Sequence, residues 1–112
     1  MDKKIKDTQI LKKMLSEIDF LLDFVKNETL ETIIDDEPKK RVVSMTLLNL
    51  GELAYHLSDD LVKSAKDIPF KSIINLRNKV AHGYHALDFS IIWLTIKDHV
   101  PTLKIEIGKL LK

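Results

Sequence analysis

Apolar residues recur at spacings of three and four through most of this chain, and that spacing favours helices over strands. In the first segment, from about residue 3 to residue 25, the series is Leu11, Leu15, Ile18, Leu22 and Val25. Residues at these spacings share one face of an α-helix. No stretch alternates apolar and polar residues regularly enough to predict a strand. We therefore expect an all-α fold.

The second long helix has clear signals at its start. Asp36 is suited to cap it, and Pro38 fits its first turn. Its apolar residues form one broad face, made of Val42, Val43, Thr46, Leu47, Leu50, Leu53, Ala54 and Leu57. Short helical segments are expected on either side, within residues 27–37 and from 58 to about 66.

Two further long helices complete the pattern. One is expected to begin near Phe70 and to end at about His82, where Gly83 is a natural residue to follow a helix end. Asp88 is expected to cap the last helix, and Pro101 to kink it, because the apolar pattern resumes beyond the proline. Long helices with short connections predict an up-and-down four-to-five-helix bundle, with residues 1–112 as a single domain.

Composition agrees with a compact helical protein and limits its functions. The chain has three Gly, three Pro and no Cys, with 18 basic against 17 acidic residues, a net charge of +1. Such a balance excludes nucleic-acid binding by global charge, so any RNA contact must be local. Without cysteine there are no disulfides or thiolate metal sites. With neither a membrane span nor a secretory h-region in the sequence, we expect a cytoplasmic protein with no membrane partner.

Arg77 occupies an unusual position on the third long helix. Sixteen of the 18 basic residues are Lys, and the arginines are Arg41 and Arg77. On a helical wheel Arg77 falls in the middle of the apolar side, where a charge is costly unless it is paired or faces a wet cleft. The sequence leaves both alternatives open: a structural ion pair, or a functional arginine.

The opposite side of that helix is a polar stripe made of Lys71, Asn75, Asn78, His82 and His85. Asn78 and His82 lie one turn apart. A solvated face is the simpler interpretation of this stripe. Two histidines without cysteine or a carboxylate at ligand spacing do not predict a metal site.

The second helix also has a narrower second face, made of Met45, Leu48, Glu52 and Tyr55. Two apolar faces on one helix suggest that one packs into the core and the other against a partner subunit. Gly51 would let another backbone approach closely. Glu52 is either an ordinary surface glutamate or the carboxylate that pairs with Arg77, within one chain or across a dimer.

The segment from Arg77 to Tyr84 resembles the Arg-x4-His-x-Tyr signature of the HepT family, within the HEPN superfamily. Asn78, directly after the arginine, also fits the family pattern. Phe70 stands where the family often has Trp, a departure with no obvious chemical cost. The resemblance extends over nearly the whole chain through Leu50-Gly51-Glu52, Ile68-Pro69-Phe70, Leu87-Asp88, Trp93 and Val100-Pro101-Thr102-Leu103.

This resemblance implies a HEPN-like bundle that dimerises and brings two Arg-x4-His motifs to one cleft. It implies a toxin of a type II toxin–antitoxin pair, a metal-independent endoribonuclease that needs no cofactor and cleaves RNA. Its implied antitoxin is an MntA-like nucleotidyltransferase that transfers AMP to Tyr84. The superfamily also contains non-catalytic binding modules and accessory subunits of nucleotidyltransferases, so that alternative function stays open.

The motif residues suit RNA cleavage. His82 is the natural acid–base group, because imidazole as a side-chain type exchanges protons near neutral pH. Arg77 offers a fork of donors to phosphate, and Asn78 can orient the substrate or His82. On an ideal helix, however, Arg77 and His82 point about 140° apart and lie about 7.5 Å apart along the axis. Either the helix ends loosely near His82, or two chains share the cleft; we favour the dimer.

Overall fold

The computed structural model describes residues 2–83, 85 and 87–112, and the regular structure within these ranges is helical, with no strand. The elements in chain order are α1 (Lys3–Val25), α2 (Leu30–Ile34), α3 (Glu37–Tyr55), α4 (Asp59–Ser64), α5 (Phe70–Ala81), α6 (Phe89–Leu94), a π-helical turn (Thr95–His99) and α7 (Val100–Leu110). The all-α, HEPN-like prediction is confirmed. None of these helices is long and apolar enough to cross a membrane.

The ends of the helices follow from local sequence signals. Asp36 caps α3 by accepting a hydrogen bond from the backbone N–H of Lys39 at 3.0 Å, and Asp88 caps α6 through the N–H of Ser90 at 3.0 Å. Such caps satisfy amides that have no partner inside the helix. Gly83 follows α5 with a φ of 131°, a conformation that residues with a side chain rarely adopt. The predicted caps and the helix-ending glycine are thus confirmed.

The irregularity expected at Pro101 takes the form of the π-helical turn that directly precedes α7. The N–H of Val100 donates to the carbonyl oxygen of Thr95, a bond that spans five residues instead of four. Proline has no N–H to donate, and its ring clashes with the carbonyl four residues earlier in a regular helix. The wider turn relieves that clash. Helix α6, the π-helical turn and α7 therefore follow one another without a break, as one irregular helix.

The core lies between α3 and the helices around it. Helix α3 packs against α1 and α2, and its most extensive contact is with α5. The largest fully buried side chains are Phe70, Met14, Ile18, Leu21, Ile33, Leu50, Ile96, Ile107, Val25 and Val43. Removing such side chains from water is the main stabilising term in a small bundle.

A buried carboxylate ties the first helix to the start of α4. Asp7 is 8% exposed. It accepts hydrogen bonds from the N–H of Ser58 at 2.8 Å and from the Ser58 hydroxyl at 2.5 Å. These bonds compensate for taking the Asp7 carboxylate out of water. The connection between α3 and α4 is thereby fixed, and with it the path of the chain toward α5.

Candidate functional site

The site begins where α3 and α5 cross at Gly51. A Cβ atom added to Gly51 would lie 2.0 Å from Arg77 Cβ and 3.0 Å from the Ile73 carbonyl oxygen. No residue with a side chain fits there without moving α5. The close backbone approach expected at Gly51 is therefore confirmed, and it brings Arg77 next to the residue that follows Gly51 in α3.

That residue is Glu52, and it holds the Arg77 guanidinium within one chain. Arg77 Nε and Nη2 each lie 2.5 Å from the same oxygen, Glu52 Oε1. The Arg77 side chain is 28% exposed and the Glu52 side chain 42% exposed. Glu52 is thus a partly exposed glutamate that pairs with Arg77 within one chain, and pairing across a dimer is not needed. Because both groups stay partly in solvent, the pair can still meet a ligand.

Two more side chains fix the same guanidinium. Arg77 Nη1 donates to Asn78 Oδ1 at 2.7 Å, and Arg77 Cζ lies 5.3 Å from the centroid of the Tyr55 ring. A cation at this distance is attracted by the electrons of the ring. The sequence placed Tyr55 on the second face of α3 but not in the site. Its position three residues after Glu52 is the signal that could have identified it, because residues so spaced are neighbours on a helix.

The hydrogen-bond count shows what the arginine can still bind. A guanidinium carries five N–H donors. Hydrogen bonds to Glu52 Oε1 and Asn78 Oδ1 use one donor on Nε and one on Nη1, and the ion-pair contact of Nη2 with Glu52 Oε1 engages one more. Within the described residues, two donors, one on each terminal nitrogen, are left for an anion. Paired terminal N–H groups match the two oxygens of a phosphate or carboxylate. The guanidinium is therefore an anion-binding group whose position is fixed by Glu52 and Asn78.

His82 lies at the end of the same helix and is exposed. Its backbone keeps the helical conformation, with φ −76° and ψ −12°, and its N–H donates to the Asn78 carbonyl oxygen at 3.2 Å. The helix therefore stays regular up to His82 instead of ending loosely before it. Within the described ranges, no hydrogen bond joins His82 to Arg77. The regular backbone between these residues matches the ideal helix from which the separation of about 140° is expected.

The predicted polar stripe on α5 lies in solvent. Lys71, Asn75, Asn78 and His82 are all exposed. The structure brings Glu52, Arg77 and Asn78 together and adds Tyr55, whereas His82 stands at the end of the stripe. Tyr84, the predicted modification site, lies outside the described residues. Among those residues, no group of three or more His, Asp or Glu side chains is placed to hold a metal ion.

Fold and site together define the class of protein. A helical bundle that presents an anchored arginine and, five residues later on the same helix, an exposed histidine has the features of a HEPN-type domain. The chain belongs to the family described as "Ribonuclease HepT-like", whose model matches residues 14–110. This assignment confirms the resemblance and places the chain in a family of ribonucleases.

Related proteins cover nearly the whole chain. A protein of Methanocaldococcus jannaschii named "Putative RNase MJ1216" is 30% identical over 99 residues, which is 88% of this chain and 82% of that protein. A protein of Thermococcus cleftensis named "Probable ribonuclease HepT" is 26% identical over 102 residues, which is 91% of this chain and 93% of that protein. No solved structure matches the chain with statistical significance.

Proposed function

We propose that this protein is a metal-independent endoribonuclease that cleaves RNA through Arg77 and His82. The observation that carries this proposal is the Arg77 guanidinium, which Glu52 and Asn78 hold on the helix that ends at the exposed His82, with two donors that no other described residue uses. Donors fixed in advance stabilise a developing negative charge without reorganising during the reaction. Membership of the Ribonuclease HepT-like family supports the same reaction.

The proposed reaction is a transfer within the RNA backbone. The ribose 2′-oxygen forms a bond to the adjacent phosphorus, and the bond from phosphorus to the 5′-oxygen of the next nucleotide breaks. One proton leaves the 2′-hydroxyl and one arrives at the 5′-oxygen, so the products carry a 2′,3′-cyclic phosphate and a 5′-hydroxyl. His82 suits the proton transfers because imidazole titrates near neutral pH. Arg77 binds the non-bridging oxygens, whose charge grows in the transition state.

A second copy of the chain is part of the proposal, because one α5 helix directs Arg77 and His82 apart by about 140°. The second face of α3 supplies a surface for that copy. Met45 and Tyr55 on this face are 55% and 58% exposed, and nearby Phe20 on α1 is 52% exposed. Phe20 and Met45 line a groove between α1 and α3, and Ser44 lines it as well. The Ser44 hydroxyl is buried without a hydrogen-bond partner among the described residues. Covering this surface would pair two clefts about a two-fold axis.

We further propose that the protein acts as the toxin of a toxin–antitoxin pair, with a nucleotidyltransferase as its antitoxin. The transferase would direct the Tyr84 hydroxyl to the α-phosphorus of ATP, forming a Tyr-O–AMP bond and releasing pyrophosphate. Tyr84 follows His82 by two residues, so an added phosphate and nucleoside at that position would hinder access of RNA to the cleft. Blocking of the same site that cleaves RNA would neutralise the toxin.

The central experiment is cleavage of RNA by the purified, unmodified chain in EDTA. Wild type and His99→Ala should cleave, while His82→Ala and Arg77→Ala should not, and the products should carry cyclic phosphate ends. His99 is the matched control because it is an exposed histidine on another element. A folded wild type without cleavage would favour the alternative of a non-catalytic binding module. Cleavage that survives in His82→Ala would overturn the mechanism.

The modification is tested separately by mass spectrometry. Co-expression with an MntA-like nucleotidyltransferase should add the mass of one AMP moiety to the wild-type chain and none to Tyr84→Phe. The modified chain should lose RNA cleavage, and a phosphodiesterase that removes AMP should restore it. An unmodified wild type that is still inhibited by the transferase would show that neutralisation occurs by binding alone.

A further inference from the structure

We propose that Lys63, Lys66 and Lys71 form a groove that binds the phosphates of the RNA strand and directs it along α5 to His82. The identity of the ligand as RNA rests on the proposed function. The groove itself lies beyond the arginine and histidine of the motif.

Three lysines meet where α4 leads into α5. The groove between these helices has a volume of about 480 Å³, and Lys63, Lys66 and Lys71 line it with no carboxylate among the lining residues. All three lysines are exposed. Asp67 is the single acidic residue between α4 and α5, and it does not line the groove. The groove therefore concentrates positive charge on a chain whose net charge is only +1.

These three lysines, unlike several others, form no ion pair within the described part of the chain. Lys39, Lys40, Lys104 and Lys109 each lie within 4 Å of an Asp or Glu oxygen. None of the three groove lysines forms an ion pair with another described residue. Neighbouring like charges repel one another, and binding of an anion relieves that repulsion. A polyanion whose phosphates repeat along a strand suits three such charges better than a single small anion does.

The groove continues directly into the polar stripe of α5. Lys71 belongs to both, and the stripe then passes Asn75 and Asn78 to His82, all of them exposed. The rise from Lys71 to His82 is about 16 Å on an α-helix, a length that several nucleotides of an extended strand can cover. Asn78 also holds Arg77 through the 2.7 Å hydrogen bond. A strand bound at the lysines would thus reach the motif along one helix face.

The test measures binding separately from cleavage. Wild type and a Lys63→Gln, Lys66→Gln, Lys71→Gln triple variant are titrated against a fluorescent 2′-O-methyl RNA, which lacks the 2′-hydroxyl that cleavage requires. Fluorescence anisotropy is recorded from about 50 to about 200 mM KCl, because each phosphate contact with a single strand adds about 0.7 to the salt slope. The triple variant should bind about tenfold or more weakly, with a slope lower by about 2.

Two further triple variants serve as controls. The first is a Lys12→Gln, Lys26→Gln, Lys112→Gln variant, which changes exposed lysines on other parts of the chain. Its RNA affinity and salt slope should stay close to those of wild type. The second is a Lys63→Arg, Lys66→Arg, Lys71→Arg variant, which should preserve RNA binding because it keeps the positive charges. Thermal melts check that all variants fold, as expected for substitutions of exposed side chains.

The outcomes separate this inference from the proposed function. Equal affinity and salt slope in wild type and the groove variant would overturn the groove, even if the wild type cleaves RNA. An equal loss in the control triple would also overturn it, by showing that binding depends on overall charge. Lysine-dependent binding by a chain that cleaves no RNA would support the groove and reject the ribonuclease. If the groove variant binds RNA as wild type does but no longer binds a partner protein, the lysines serve that partner and the RNA groove is rejected.

Discussion

Arg77 contacts Glu52 through two nitrogens and one oxygen, since Nε and Nη2 both lie 2.5 Å from Oε1. The carboxylate thus occupies the edge of the guanidinium formed by Nε and Nη2, while Asn78 Oδ1 accepts from Nη1. In water an exposed ion pair contributes little to stability, and this pair is partly exposed. Its main effect is geometric, because it fixes the direction in which Arg77 presents its remaining donors.

Substitution of Glu52 should therefore affect catalysis more than stability. In Glu52→Gln the amide oxygen can still accept from Arg77, but the attraction to the guanidinium weakens, and we expect kcat for RNA cleavage to fall about tenfold. Arg77→Lys should lose about 100-fold or more, because one ammonium cannot replace a fork that binds Glu52 and phosphate together. Single-turnover cleavage and thermal melts measure the two effects. A large loss of melting temperature in Glu52→Gln would show that the pair is chiefly structural.

The crossing of α3 and α5 gives a prediction about stability. Gly51→Ala places a Cβ 2.0 Å from Arg77 Cβ, so α5 must move, and overpacking of this kind costs about 1–3 kcal/mol of unfolding free energy. Because Arg77 moves with α5, RNA cleavage should fall as well. Gly108→Ala in α7 is the matched control: nothing lies within 4 Å of its added Cβ. This control should be neutral or slightly stabilising, since Ala favours helix over Gly. Equal effects at the two glycines would contradict the close approach.

An ion pair at the start of α3 gives a prediction about pH. Lys39 Nζ lies 2.8 Å from Glu28 Oε1. The hydrogen bond from Lys39, helped by Thr32, lowers the pKa of Glu28 below 4.5, and the bond to Glu28 raises the pKa of Lys39 above 10.5. The contribution of Glu28 to stability is therefore present above pH 4.5 and is lost as the pH falls through its lowered folded pKa. The contribution of Lys39 is present below pH 10.5 and is lost as the pH rises through its raised pKa.

Glu28→Gln should consequently melt at a lower temperature than wild type at pH 7, and the difference should shrink as the pH falls below 4.5. Thermal melts at a series of pH values from 7 down to 3 measure this. Glu31→Gln is the control, because it removes the same charge from a neighbouring glutamate that forms no ion pair with a described residue. A difference for Glu28→Gln that stays constant down to pH 3 would show that the pair does not stabilise the fold.

Much of the fold could be predicted because its signals are local. Asp36, Asp88 and Gly83 mark helix ends by their own chemistry, and each lies where the sequence indicated. The exact partner of Arg77 could not be predicted in the same way. Glu52 is distant in the sequence, and the choice between pairing within one chain and pairing across a dimer depends on how closely α3 and α5 approach at Gly51. That distance is a property of packing, which periodicity does not specify.

The contribution of two chains to one cleft has a direct test by complementation. Arg77→Ala and His82→Ala each remove one essential group and should be inactive alone. If each cleft takes Arg77 from one chain and His82 from the other, mixing and exchanging the two variants makes dimers in which one of two clefts is intact. Half of the dimers are then mixed, so activity should return to about a quarter of wild type.

Met45→Glu, which places a charge on the second face of α3, should prevent both the dimerisation measured by sedimentation and this recovery of activity. Recovery of activity in a mixture that sediments as monomers would contradict the shared cleft. A dimer that shows no recovery would mean that Arg77 and His82 of the same chain act together.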